Sequence, residues 1–267
     1  MVDIGANLTH KSFEKDLDSV MYKSFKQNLQ AIIITGTTIE GSQFGLKLCE
    51  KYKENYNIFC TAGIHPHNAN EYDSTVETEL IKLIEMNVIK AVGECGLDFD
   101  RNFSAQENQI NCFDRQIKLA LKYKLPLFLH ERSAHKKFLE VLDKYTDSLK
   151  NINVVVHCFT GNCSEVKEYI KRGFYIGITG WICDDRRNMD LLVAIKDIPL
   201  DKLMIETDSP FLSPNRKERR NIPANVFVVA QKIGKILSRS EEDIIKLTTA
   251  NAIKVFNLEL KPIVFPI

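Results

Sequence analysis

The sequence contains little of what marks the special classes of protein. Among 267 residues it has 12 glycines, 8 prolines and 1 tryptophan, which excludes collagen-like and low-complexity chains. Basic residues number 36 and acidic residues 35, so the chain has no globally basic surface, and a nucleic acid would need a local site. Apolar runs such as Ala31–Ile34 fall far short of the about 20 residues that a membrane helix requires. We therefore expect no membrane partner.

Several recognition motifs are also missing. The seven cysteines are scattered and form no CxxC pair, which argues against a zinc cluster and favours thiols in a reducing compartment. The first ten residues lack the basic region and the apolar stretch of a signal peptide, so a cytoplasmic location is predicted. The chain contains neither GxGxxG nor the P-loop pattern GxxxxGK, the glycine-rich turns typical of nucleotide-binding open sheets.

The chain does have a regular alternation of two kinds of segment. Short β-branched runs, apolar on both faces as in a parallel sheet, alternate with longer segments of helical spacing such as 106–124 and 134–149. The starts of successive runs are roughly 30 residues apart, which is the length of one strand–helix–strand unit. This arithmetic predicts a (β/α)8 TIM barrel in one domain over 1–267, followed by helices near 224–237 and 241–256. The predicted strands are 2–5, 31–36, 58–65, 89–96, 125–130, 153–159, 174–180 and 202–208.

Polar residues of one chemical type follow these runs. In a barrel the active site lies at the carboxyl ends of the strands, and four of the six histidines fall there. Glu94, His130, His157 and Asp208 end four different runs. Imidazoles and carboxylates that converge on one mouth predict a divalent-metal site.

The motifs at these positions, taken together and in order, resemble the TatD family of metal-dependent deoxyribonucleases. They read IGANLT, GIHPH, GECGLDFDRNFS, LPLFLHERSAH, HCFTG, YIGITGWICDDRR and KLMIETDSPFLSP. The resemblance implies an amidohydrolase-like barrel and a 3′→5′ exonuclease that acts on single-stranded DNA, with RNA as a second substrate, and that favours Mg²⁺, with Mn²⁺ or Zn²⁺ as substitutes. It also implies that Glu94, His130 and His157 ligate the metal and that Asp208 completes the site.

One departure concerns the first strand. Most of the wider family has two histidines there, whereas this sequence has Gly5 and Asn7. Glycine offers no ligand, and an amide oxygen replaces imidazole poorly. We therefore expect one tight metal and a second that binds weakly.

The same chemistry suggests a role for each catalytic candidate. Asp208 is the expected general base, since it would contact metal and water together. Glu94 is the expected bridging ligand if two metals bind. His65 is either a ligand or a donor to the phosphate or leaving group, and His67 is expected to make a local loop contact.

The expected substrate contacts lie around the same mouth. Arg132 follows His130 by two residues and suits a bidentate phosphate contact, although an ion pair with Asp98 or Asp100 explains it equally. Trp181 is a candidate to stack on a base, and the basic loop 215–220 could follow the phosphate backbone or simply be solvated. Three further stacking candidates are Phe99, Phe103 and Phe211.

Two other classes of function remain open. One is the hydrolysis of a small amide, ester or phosphoester, which barrels of this type also perform. The absence of a lysine at the end of strand four or five argues against a carbamylated-lysine site of that kind. The other is a metal-dependent binding protein without catalysis, against which Asp208 argues, because binding needs no base. We expect a monomer.

Overall fold

A computed structural model describes residues 1–215 and 217–266 of the chain. Its centre is one parallel sheet of eight strands that follow one another in chain order. The predicted TIM barrel is therefore confirmed. The strands are β1 (Val2–Ala6), β2 (Ala31–Ile34), β3 (Ile58–Ala62), β4 (Ile89–Asp98), β5 (Leu127–Arg132), β6 (Val154–Val156), β7 (Tyr175–Ile178) and β8 (Leu203–Ile205).

Helices connect successive strands and cover the outside of the barrel. Two of the longer ones begin at side-chain caps, because Asp73 and Ser240 accept hydrogen bonds from backbone N–H groups of the first turn. The helices are α1 (Leu17–Lys26), α2 (Ile39–Tyr52), α3 (Ser74–Ile84), α4 (Gln106–Tyr123), α5 (His135–Leu142), α6 (Thr146–Leu149), α7 (Cys163–Lys171), α8 (Met189–Ala194), α9 (Val226–Leu237) and α10 (Glu241–Phe256).

The predicted helix over 134–149 is wrong in its middle. α5 ends at Leu142, a short 3-10 turn follows, and α6 adds only four residues. Tyr145 leaves the helical region with φ −117° and ψ 15°, and the Thr146 hydroxyl donates to the Asp143 carbonyl at 2.9 Å. Such local side-chain bonds compete with helix continuation.

Alternate residues of the strands separate the two apolar layers. Ile4, Phe128, Val155 and Met204 belong to an inner cluster that fills the barrel, while their chain neighbours pack outward against the helices. This period of two determines which later residues face inward. It places the side chains two residues beyond Phe128, Val155 and Met204 on the inner side as well.

The barrel closes where β8 returns to β1, and we call this junction the seam. The Asp208 amide donates to the Gly5 carbonyl at 2.8 Å, and the Asn7 amide donates to the Ser209 carbonyl at 2.7 Å. Both bonds lie beyond the end of β8, in the segment that carries the polar residues of the mouth. Across residues 1–215 and 217–266, we find no helix with the length and apolar character needed to cross a membrane.

Candidate metal centre

Glu94 is the centre of a compact cluster at the carboxyl end of the barrel. Its side chain is buried on β4, with 5% of the residue exposed. Three imidazole nitrogens approach its Oε1 atom: His157 Nε2 at 2.8 Å, His130 Nδ1 at 2.9 Å and His65 Nε2 at 3.3 Å. The strands that hold these residues are far apart in sequence, so the barrel itself creates the cluster.

The charges of the cluster are strongly coupled. Burial opposes ionisation of Glu94, yet the surrounding histidines hold the pKa of its carboxyl well below the usual value. Burial also opposes protonation of His157, but the carboxylates of Glu94 and Glu206 raise its pKa well above the usual value. His65 differs, because burial dominates and lowers its pKa to about 4. The site therefore concentrates negative charge that a cation could balance in place of protons.

The donor atoms fit a metal ion. Ligand atoms of His65, Glu94 and His130 all lie within 4.8 Å of one another. The Nε2 atom of His130 is buried and has no hydrogen-bond partner within the described part of the chain, and the nearest carboxylate oxygen, Asp98 Oδ2, is 3.5 Å away. A buried polar atom without a partner is costly unless something binds nearby. Imidazole and carboxylate donors suit a divalent cation.

Hydrogen bonds distinguish the roles open to two of the histidines. The His67 amide donates to Nδ1 of His65 at 3.1 Å, so a neutral His65 carries its proton on Nε2, which lies 3.3 Å from Glu94 Oε1. His157 has the opposite arrangement, because its Nδ1 lies 3.3 Å from Glu206 Oε2. A proton on Nδ1 leaves the His157 Nε2 lone pair free for a cation.

Asp208 lies at the seam beside the cluster. It has a left-handed backbone conformation with φ 52°, and its Oδ1 accepts a hydrogen bond from the Asn7 side chain at 2.8 Å. Loss of hydration raises the pKa of this carboxyl to about 7, with the nearby charges of Glu94 and Glu206 adding to the effect. Asn7 thus occupies the position of the missing second histidine and contacts a carboxylate instead.

Two acidic residues of the site were missed from the sequence. Asp98 is 1% exposed and accepts from His67 Nε2 at 2.8 Å and from the Arg101 amide at 2.8 Å. Glu206 is completely buried and contacts His157. Asp98 is the last residue of the GLD motif, and Glu206 is the first residue of the ETD motif. For Glu206, only the alternation of inward and outward side chains along β8 could have indicated that it faces inward. The predicted local contact of His67 is, in the structure, a bond to the site's own Asp98.

The side chains predicted to contact substrate already have partners within the protein. Arg132 pairs with Asp100 at 2.9 Å, and both side chains are 45% exposed. Trp181 does not end the seventh strand, as the sequence suggested; it lies in a 3-10 turn after β7, and the Arg187 guanidinium covers its ring at 3.7 Å. The residue after Ile178 turns because Thr179 caps that short helix.

The aromatic side chain most available at the mouth is Phe103. It is 64% exposed and packs edge-on against His67 with ring centroids 4.7 Å apart. In the basic loop, Arg220 pairs with Asp16 at 2.6 Å, while Arg216 lies outside the described residues.

The eightfold parallel barrel and the buried carboxylate–histidine cluster at its carboxyl end are typical of TIM-barrel hydrolases that bind a metal. The family model described as "TatD related DNase" matches residues 2–257, and the chain belongs to this family.

The chain is similar to relatives and to solved structures over nearly its full length. The chain is 39% identical to "3'-5' ssDNA/RNA exonuclease TatD" of Citrobacter rodentium, covering 98% of this chain and 99% of the relative. It is similar in structure to YJJV, a TatD homolog from Escherichia coli K12, with a TM-score of 0.89, 26% identity and coverage of 97% and 98%. The fold alone extends to a phosphotriesterase homology protein from Escherichia coli, with a TM-score of 0.68, 13% identity and coverage of 96% and 98%.

Proposed function

We propose that the protein is a metal-dependent nuclease that removes nucleotides from the 3′ end of single-stranded DNA, with RNA as a second substrate. The observation that carries this proposal is the convergence of three imidazole nitrogens on Glu94 Oε1 at the barrel mouth of a TatD-family chain. A relative that is 39% identical is named as a 3′–5′ exonuclease of single-stranded DNA and RNA, which supports the proposed substrate and polarity.

The proposed ligands are Glu94, His130, His157 and Asp208, with Glu94 as the bridging group if a second ion binds. When bound, a divalent cation makes water more acidic and neutralises charge on phosphoryl oxygens. The carboxylates of Glu94 and Asp208 suit Mg²⁺. The imidazoles of His130 and His157 suit Zn²⁺ and the carboxylates also suit Mn²⁺, so these two ions are expected substitutes. Because β1 contributes no imidazole, we propose one tight site and one weak site.

Asp208 acts as the general base. Asn7 holds its Oδ1, so Oδ2 is the oxygen available to take a proton from the attacking water. Without a bound cation, burial raises the pKa of this carboxyl to about 7, so the group binds a proton readily near neutral pH. A bound cation would favour the ionised form and keep the carboxylate ready.

His65 is the proposed donor to the substrate. Its Nδ1 accepts the His67 amide, so Nε2 carries the proton. This proton faces Glu94 Oε1 at 3.3 Å and would be free to donate to a phosphoryl or leaving oxygen once a cation binds Glu94. Ligation by the same Nε2 would require loss of that proton. This hydrogen bond therefore favours the donor role over the ligand role for His65.

The nucleotide chain is proposed to cross the mouth past Arg132, Trp181 and Phe103. Arg132 can exchange its half-exposed partner Asp100 for a phosphate, because exposed ion pairs contribute little. The Trp181 ring, which the Arg187 guanidinium covers at 3.7 Å, is the proposed stacking surface for a base that replaces the guanidinium. Phe103 offers an exposed ring beside the metal cluster, where stacking a base contributes about 1–3 kcal/mol.

We also propose a cellular location, a domain organisation and an oligomeric state. The seven cysteines are free thiols, which supports a reducing compartment and hence the cytoplasm. We propose one domain over 1–267 and a monomer in solution. Light scattering during gel filtration tests the oligomeric state, because a mass near 30.6 kDa corresponds to one chain.

The test uses 5′-labelled single-stranded oligonucleotides with Mg²⁺, with and without EDTA. We expect a descending ladder that EDTA abolishes. Glu94→Ala should remove it, whereas His135→Ala is the matched control, since the His135 ring binds Tyr169 and not the cluster. Cleavage inside a closed single-stranded circle at a comparable rate would contradict the exonuclease assignment. Turnover confined to p-nitrophenyl esters or phosphoesters would favour the small-molecule hydrolase.

A further inference from the structure

The Glu206 side chain lies inside the barrel wall, where no solvent reaches it. Its Oε1 accepts the Cys158 amide at 2.6 Å. Its Oε2 lies 3.3 Å from Nδ1 of His157. The carboxylate therefore contacts two successive residues after β6: the side chain of His157 and the backbone amide of Cys158.

Two glycines leave the space that this carboxylate occupies. A Cβ atom built on Gly5 of β1 would lie 2.3 Å from Glu206 Oε2, and one built on Gly177 of β7 would lie 2.5 Å from Glu206 Oε1. Real Cβ atoms do not approach other atoms so closely. Any side chain at either position would force the carboxylate away from His157.

We propose that Glu206 is a positioning residue that accepts the Nδ1–H of His157 and so directs Nε2 toward Glu94 and the cation, in the space that Gly5 leaves vacant. This inference rests on the proposed function, because it requires a cation at the mouth. Carboxylate–histidine–metal arrangements fix the ring orientation and the tautomer, and loss of the carboxylate typically lowers metal affinity about 10–100-fold. Glu206 would thus compensate in part for the histidine that β1 lacks.

Glu206→Gln separates this role from simple packing. Glutamine has the same size, and its carbonyl oxygen can still accept the short bond from the Cys158 amide. Its NH₂ group must then face Nδ1 of His157, so that two donors oppose each other. The reverse orientation would place the NH₂ against the Cys158 amide, which is worse at 2.6 Å.

The first measurement detects the NMR signal of the His157 Nδ1–H proton in ¹⁵N-labelled protein, with and without Mg²⁺. With six histidines in the chain, a His157→Gln spectrum assigns the signal. We expect a downfield, slowly exchanging Nδ1–H in the natural protein and its loss in Glu206→Gln. Persistence of the signal in Glu206→Gln would overturn the proposal.

The second measurement is Mn²⁺ affinity by calorimetry. We expect affinity to fall about 10–100-fold in Glu206→Gln and by a similar factor in Gly177→Ala. Gly234→Ala is the control, because its added Cβ would lie 2.9 Å from the Arg239 carbonyl oxygen, near the C-terminal end of α9 on the outside of the barrel. Unchanged Mn²⁺ affinity in Glu206→Gln would refute the positioning role. A natural protein that shows the Nδ1–H signal but binds no Mn²⁺ would contradict the proposed function and still support the hydrogen bond.

Discussion

Asp3 is a carboxyl group buried completely beside the seam, and it makes the stability of the protein depend on pH. Its Oδ1 accepts the Thr207 amide at 2.9 Å, and its Oδ2 contacts the Thr207 hydroxyl. Burial is the largest influence and raises the pKa of Asp3 from 3.8 to about 8. Between these two values the folded chain holds a proton that the unfolded chain has released.

The sign and size of the effect follow from this difference. The contribution of Asp3 is fully present below about pH 4 and is lost as the pH rises through about 8. The free energy of unfolding falls by about 1.4 kcal/mol per pH unit in that window. Over about four units the loss is on the order of 5 kcal/mol.

Asp3→Asn should remove this dependence. Asparagine resembles the protonated acid, because its NH₂ can donate to the Thr207 hydroxyl while its oxygen still accepts the Thr207 amide. The Thr207 hydroxyl then loses its own acceptor, which costs about 1 kcal/mol. At pH 5 the natural protein has already lost roughly 1.6 kcal/mol of this contribution, so we expect the two proteins to have similar stability there and the variant to be clearly more stable at pH 8.

The assay is urea unfolding in EDTA from pH 5 to pH 8.5, followed by circular dichroism and by the fluorescence of the single tryptophan. Coincident transitions justify a two-state free energy. The quantity compared is the difference between the two proteins at each pH, since other titrating groups cancel. Parallel stability curves would show that Asp3 is ionised in the folded state and would refute the reasoning.

Three further results are expected at the mouth. His130→Ala should abolish Mg²⁺-dependent hydrolysis with circular dichroism unchanged, while His135→Ala keeps activity; near-normal turnover in His130→Ala would remove it from the ligand set. Phe103→Ala should raise KM for single-stranded DNA about 5–150-fold, the equivalent of about 1–3 kcal/mol of stacking, with kcat little changed, and Phe44→Ala, at an exposed ring on α2, should not. Arg132→Lys keeps the charge but loses the paired N–H donors, so KM should rise about tenfold; an equal KM would indicate that the ion pair is structural.

Much of the barrel could be predicted because its signals are local. Each strand is a short apolar run, and Glu94, His130 and His157 follow such runs directly. The helix over 134–149 was predicted too long because the bond between Thr146 and Asp143 leaves no trace in the hydrophobic spacing.

The residues that hold the Glu94–histidine cluster in place could not be predicted in the same way. Glu206 binds His157 only because Gly5 and Gly177, on strands far apart in sequence, both leave room for it. Asp98 at the end of β4 and His67 in the turn after β3 also meet only in the folded barrel. Such cavities arise from tertiary packing, and no spacing along the chain encodes them.

The seam unites the closure of the barrel with the proposed base. Asp208 and Asn7 join the last strand to the first through backbone bonds and through their own side chains. A brief parting of these strands would therefore displace the carboxylate while the other seven strand pairings stay intact. Partial opening of this kind requires less free energy than global unfolding. Catalysis should consequently be the first property lost on gentle heating, ahead of any change in helix content, and it should return as soon as the circle of strands closes again.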